Sequence, residues 1–250
     1  MSPTTAPAWL VPAFSRAATG AGATASSSQI DAAAHRLIDR WSEPERRYHD
    51  VAHLVDLLQH VDELHQEAHN VHTVRLAAWY HGAIFDAGEA TADAHRGGED
   101  EAASAEVARE DLARLGVPEQ VVDAVAAMVA GLARHAAPRD NVDAAVLSDA
   151  DLAILASDPQ RYRHYLERIR EEYGHIPILK YLKARRAIVD KLLSRDRLYT
   201  SPMGAPWERQ ARENLAAERA RLDREIAKAT ADDEAAAPAS PAEPLSTEAP

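Results

Sequence analysis

The sequence predicts an all-α protein, a helical bundle with a disordered segment at each end. Three observations lead there. Apolar residues recur with the 3.6-residue period of a helix along most of the chain, and no run of alternating β-branched residues announces a strand. Glycine is scarce, 10 in 250 residues, while alanine is abundant. Hydrophobic residues are 46% and charged residues 27% of the chain, ordinary proportions for a globular protein, which excludes bulk disorder, a collagen-like repeat and a membrane bundle.

Residues 1–28 are rich in Ala, Ser, Thr, Gly and Pro and are expected to be disordered, including the short patch from Trp9 to Phe14. The helical domain spans residues 29–230. Its first helix, 29–41, carries Ile30, Ala34, Leu37, Ile38 and Trp41 on one face and stops at Ser42-Glu43-Pro44. The second, 50–68, has the stripe Leu54, Leu57, Leu58, Val61 and Leu64. Asn70 caps a third, with Val71, Val74, Ala77, Ala78 and His81 on its apolar side and Gly82 as its C′ stop. After a loop at 89–98, helices at 99–115 and 118–132 are separated by Gly116 and Pro118. A loop at 136–141 leads to a helix at 142–156. Asp158-Pro159 opens the next, with Tyr162, Tyr165, Leu166, Ile169 and Tyr173 on one side. Helices at 178–194 and 206–229 follow. The last reads as an exposed surface helix laced with Arg/Glu pairs, and Lys180, Lys183, Arg185 and Arg186 read as a solvated face. Residues 231–250 form an acidic Pro/Ala tail, expected to be disordered.

The net charge is −12, from 28 basic and 40 acidic side chains. Such an acidic chain is not expected to bind nucleic-acid backbones, which needs clustered Lys and Arg, but a small phosphorylated molecule held by a few cations or a metal remains compatible. There is no cysteine, which rules out disulfides, iron–sulfur clusters, thiolate zinc sites and cysteine nucleophiles. No run approaches the ~18 apolar residues of a membrane span, and the N-terminus lacks the basic region of a signal peptide. A cytoplasmic protein with no membrane partner is the expectation.

Twelve histidines are many for this length, and three groups stand apart from the rest. In Arg46-Arg47-Tyr48-His49-Asp50-Val51-Ala52-His53, the two histidines are four apart at a helix start, so they share a face. His81 lies on the apolar side of its helix, where an imidazole must find a partner, either a core hydrogen bond or a metal. Asp149 and Asp151 sit two apart in an otherwise apolar helix, so they cannot share a face, and a carboxylate there suggests a metal or cation partner.

Together these groups resemble a known family. The stretches SEPERRYHDVAHL, AAWYHGAIFD, EDEAASAE, LSDADLAIL, RIREEYGHIP and RDRLYTSP, in that order over about residues 30–222, are similar to the HD-domain superfamily of metal-dependent phosphohydrolases, within it a bacterial branch of predicted HD hydrolases. The resemblance implies an HD-like helical bundle and a divalent ion of the Mn, Fe, Co, Ni, Zn or Mg type. It makes His53 the first ligand, His81 the second, and Asp149 the preferred last ligand because Leu147 and Ile154 flank it, with Asp151 as its rival. His49 lies beside the metal or meets substrate. Arg46 and Arg47 neutralise phosphate, His135 lies near substrate, and Glu101 and Ser104 match a Glu-x-x-Ser element. One departure is sharp: where the family has Asp directly after its second His, this chain has Gly82. That leaves one metal rather than two, with Asp86 as a reserve ligand, and an Asp restored at position 82 is expected to raise metal content.

The function implied is hydrolysis of a nucleotide or another small phosphate ester. The alternative is a non-catalytic metal- or nucleotide-binding regulatory module, because Gly82 removes a ligand.

Overall fold

A computed structural model describes residues 6–86, 98–134 and 140–236. It is 72% helical, and the described residues contain ten α-helices and no strand. The helices are α1 (Leu10–Gly20), α2 (Ser27–Trp41), α3 (Val51–Glu63), α4 (Val71–Tyr80), α5 (Glu101–Arg114), α6 (Glu119–Gly131), α7 (Val142–Asp151), α8 (Pro159–Glu172), α9 (Ile178–Leu193) and α10 (Glu208–Ala236). Short 3₁₀ turns follow α6 and α7 and precede α10. No described helix is long and apolar enough to cross a membrane.

The expected stops and starts are present in chemical detail. Asn70 accepts from the Thr73 N–H at 3.2 Å, and Asp158 accepts from Gln160 and Arg161 with Pro159 behind it. Gly116 takes φ +71° at the end of α5, a left-handed turn that suits glycine. The stripe Leu54, Leu57, Leu58, Val61 and Leu64 is buried throughout.

The N-terminal segment departs from expectation. Within residues 1–28, Leu10–Gly20 is a helix with Leu10, Phe14, Ala17 and Ala18 buried. The Phe14 ring stands edge-on to Trp79 at 5.2 Å between centroids, in the middle of the core. Its i, i+4, i+7, i+8 pattern is made half of alanine, so the composition reads as low complexity while the small side chains let α1 lie close on its neighbours. Pro12 falls in the first turn, where a missing N–H costs no helical hydrogen bond. At the other end α10 runs on to Ala236 before the described residues stop.

Two apolar clusters form the core. One joins α1 through α7 and ends at Ala150; the other begins at Leu152 and joins the α8, α9 and α10 region. Asp151 sits between them in sequence. The second cluster holds a buried ionic network: Arg185 Nε donates to Glu218 Oε1 at 2.7 Å and Tyr162 Oη donates to Glu218 Oε2 at 2.6 Å. Arg185 is therefore a core residue, not part of a solvated face, and α10 buries Ala211, Leu215 and Leu222 beside Glu218 rather than lying wholly exposed.

Candidate functional site

Trp41, at the end of α2, is the floor of the site. It is fully buried, its Nε1–H donates to the Trp79 carbonyl at 3.0 Å, and its ring lies 5.1 Å from that of His81 and 6.0 Å from that of His53. His53 stands in the first turn of α3. Asp50 caps that helix, accepting from the Ala52 and His53 amides, and is itself gripped by Arg168 at 2.7 Å. His81 is the C-cap of α4. Its Nδ1–H donates to the Ala78 carbonyl at 2.8 Å, which fixes the tautomer and turns the Nε2 lone pair inward. Burial lowers the His81 pKa against the pull of Glu99 and Asp151, keeping that imidazole neutral.

The two Nε2 atoms are 3.2 Å apart. Around them stand two carboxylates. Asp151 Oδ1 is 3.4 Å from His53 Nε2 and 3.8 Å from His81 Nε2, and Glu99 Oε1 is 3.5 Å from His81 Nε2. Glu99 is placed by an antiparallel bridge to Phe85, closed by Asp86 N–H to the Gly98 carbonyl and Asp100 N–H to the Ile84 carbonyl. Ser104 supports the same turn, its buried hydroxyl accepting from the Ile84 amide at 3.0 Å, so the Glu-x-x-Ser element acts here through its serine.

His53, His81 and Glu99 form a group that can hold a metal ion. Two observations test the fit. Donor atoms around a four-coordinate ion bound at about 2.0–2.2 Å stand about 3.3–3.6 Å apart, close to the separations found. Glu99 Oε1 is buried without a hydrogen-bond partner, which is costly unless a cation or proton satisfies it. A cavity of about 10 Å³, lined by His53 and Asp151, adds room for roughly one water beside these donors.

His49 is not in this group. Its Nδ1–H donates to Glu172 Oε1 at 2.6 Å, and its Nε2 lies 3.9 Å from Glu99 Oε2. Burial opposes a charge on His49, but Glu99 and Glu172 outweigh it and raise the pKa to about 9. Glu172 also accepts the three successive amides of Arg47, Tyr48 and His49 at 2.8, 2.9 and 3.0 Å. Burial opposes its charge too, but His49 and those amides hold Glu172 at about 2.

The remaining expected residues lie elsewhere. Asp149 is fully buried but turned away: its carboxylate accepts from the Thr200 amide at 3.0 and 2.9 Å and from the Ser201 amide at 2.7 Å, anchoring the chain ahead of α10. Its place beside the histidines is taken by Asp151. Arg46 is a buried clamp rather than a phosphate hook, donating to the Gly82 carbonyl at 2.7 Å and lying over the Trp41 and Phe85 rings. Arg47 is exposed and lines an outer groove with Asp86, which is also exposed and outside the donor group. His135 lies outside the described residues. Gly82 does not adopt the left-handed C′ conformation, since the positive-φ glycines are Gly22 and Gly116. A Cβ at Gly82 would come 2.4 Å from Trp41 Cη2, so position 82 points into the floor and cannot send a carboxylate to the histidines without displacing the indole.

Glu99 and Glu172 were not legible as site residues. A weak signal for Glu99 existed in its position immediately before the capped start of α5, next to the Glu-x-x-Ser element. Glu172 lies within the quoted stretch RIREEYGHIP, but nothing local singles it out, because its partners are 123 to 125 residues away. No protein-family model matches the chain, no curated protein matches it, and no solved structure matches it.

Proposed function

We propose that the protein is a metal-dependent phosphohydrolase acting on a nucleotide or another small phosphate ester, with His53, His81, Glu99 and Asp151 as the ligands of one divalent ion. The observation that carries this reading is the meeting of His53, His81 and Glu99 in one donor group, with the histidine nitrogens 3.2 Å apart and Glu99 Oε1 3.5 Å from His81; Asp151 Oδ1 stands 3.4 and 3.8 Å from the two histidines as a fourth donor. Two neutral imidazoles and two carboxylates balance a dication, and the mixed N/O set suits Mn, Fe, Co, Ni or Zn. In this reading Glu99 supplies the carboxylate that Gly82 cannot, so the chain keeps an HD-like centre by a different route.

Such an ion, when bound, polarises a phosphoryl oxygen and acidifies a coordinated water. The chain's own groups do the rest. The Ala78 carbonyl holds the His81 tautomer, and Asp50 with Arg168 holds the first turn of α3 and so the direction of His53. His49 is held by Glu172, to which its Nδ1–H donates at 2.6 Å, and it faces the far oxygen of Glu99. From there it can give a proton to a leaving oxygen, a general-acid role that its position suits.

Elemental analysis of the protein purified without added metal, followed by a panel of nucleotides and phosphate monoesters, tests the reading. About one ion per chain, lost in Glu99→Gln, with turnover of a phosphate ester is the expected result. Stoichiometric metal with no turnover would favour the regulatory module, and no metal in either wild type or Mn²⁺-dialysed protein would refute the centre itself.

A further inference from the structure

Two openings flank the donor cluster. The outer groove, about 520 Å³, has five carboxylates on its walls (Glu43, Glu45, Asp86, Glu171 and Glu172) against Arg47 and a histidine, a lining that repels an anion. The other is the small cavity beside His53, about 10 Å³, which holds roughly one water as it stands and admits a larger group only when the ion pair at its edge opens. It is lined by His53, Asp151 and Tyr48 within and by the partly exposed Asp56, His60 and Arg161 toward solvent. Its outer edge is an ion pair between α3 and α8: Arg161 Nη2 donates to Asp56 Oδ2 at 2.7 Å, with both side chains nearly half exposed.

This pair is cheap to open, because exposed ion pairs are worth little against solvation and side-chain entropy. Asp56 is three residues after His53, one turn along the same face of α3, a rise of about 4.5 Å. A phosphate group reaching the donors of His53 and Asp151 from this side would therefore lie within reach of the Arg161 guanidinium. That planar fork is held at the start of α8, where Asp158 accepts the Arg161 amide at 3.1 Å.

Resting on the metal-centre reading above, we propose that the phosphate group enters between α3 and α8, and that Arg161, released from Asp56, is the cation that takes it. Arg161 thus fills the role the sequence suggested for Arg46 and Arg47. Asp56 holds the fork in the closed state, competing with the phosphate for it.

The test is titration of Mn²⁺-loaded protein with inorganic phosphate, read from broadening of the phosphorus resonance, with metal content measured alongside. Arg161→Gln is expected to weaken phosphate by about tenfold or more, the range for losing a charge-assisted hydrogen bond, at unchanged metal content. Asp56→Asn is expected to bind phosphate at least as tightly as wild type, and Arg47→Gln to match wild type. Arg161→Gln binding like wild type overturns the proposal, as does a loss that falls on Arg47→Gln instead. If wild type takes up no metal, the centre fails separately. Calorimetric titration of the metal-free protein with phosphate then decides the proposal: a Kd weakened by Arg161→Gln supports it, and no phosphate binding by wild type overturns it.

Discussion

Replacing Gly82 is the most direct trial of how the site is built, because the sequence and the structure forecast opposite results. By the family pattern, Gly82→Asp restores a ligand. In the fold, the new Cβ meets Trp41 Cη2 at 2.4 Å and two further ring carbons at 3.0 Å. The indole has little room to yield: it is fully buried, hydrogen-bonded to the Trp79 carbonyl, and packed against His81 and the Arg46 guanidinium. Overpacking a dense core costs about 1–3 kcal/mol, the range expected for Gly82→Ala. An aspartate adds the desolvation of a charge, several kcal/mol more unless a cation meets it. At about 2–4 °C per kcal/mol for a chain of this size, Gly82→Ala lowers the melting midpoint by roughly 2–12 °C and Gly82→Asp by more. Because Trp41 is the floor beneath both histidines, its displacement spreads them, and metal content falls rather than rises. Thermal melts and elemental analysis of both variants, beside His81→Ala, check this. A Gly82→Asp protein that melts within about 2 °C of wild type and holds more metal would show that the ring swings aside and that the steric reasoning is wrong.

Other outcomes follow from the same geometry. Asp151→Asn is expected to lose metal. Asp149→Asn should keep metal and lose about 1–3 kcal/mol, since it weakens a buried anchor to Thr200 and Ser201; denaturant melts with metal analysis separate the two, and the reverse pattern would restore Asp149 as the ligand. Phe14→Ala should cost about 3–5 kcal/mol by urea denaturation, where a disordered terminus would cost nothing. In chelator, the His49–Glu172 pair makes stability depend on pH at both ends. The His49 pKa is raised above 6.5, so its contribution is complete below that pH and is lost as pH rises through about 9. The Glu172 pKa is depressed below 4.5, so its contribution is complete above that pH and is lost as pH falls toward about 2. His49→Gln should flatten the alkaline limb, roughly 3 kcal/mol, and an alkaline limb equally steep in the variant would refute the pairing.

The order of helices, most of their caps and the two histidines could be read from the chain alone. The reason is that helix period, N-caps and glycine or proline stops are local, set by neighbours within about four residues. Leu54, Leu57, Leu58 and Val61 are buried because one stripe of α3 has nowhere else to go, and His53 begins that stripe. The same locality explains what was missed. Asp149 and Asp151 lie on different faces of α7, and both faces look apolar from sequence. Which one meets the histidines is decided by Thr200 and Ser201, whose amides take Asp149, and by the seam between the two apolar clusters, where Asp151 is left facing His53. Glu99 reaches His81 through a two-residue bridge, and Glu172 reaches His49 across more than a hundred residues. Gly82 looked like a lost ligand and is instead a contact surface for an indole from α2. Each of these depends on pairs of groups far apart in sequence, whose meeting is settled only when helices pack, because a side chain's direction around its own helix says which way it points but not what waits there.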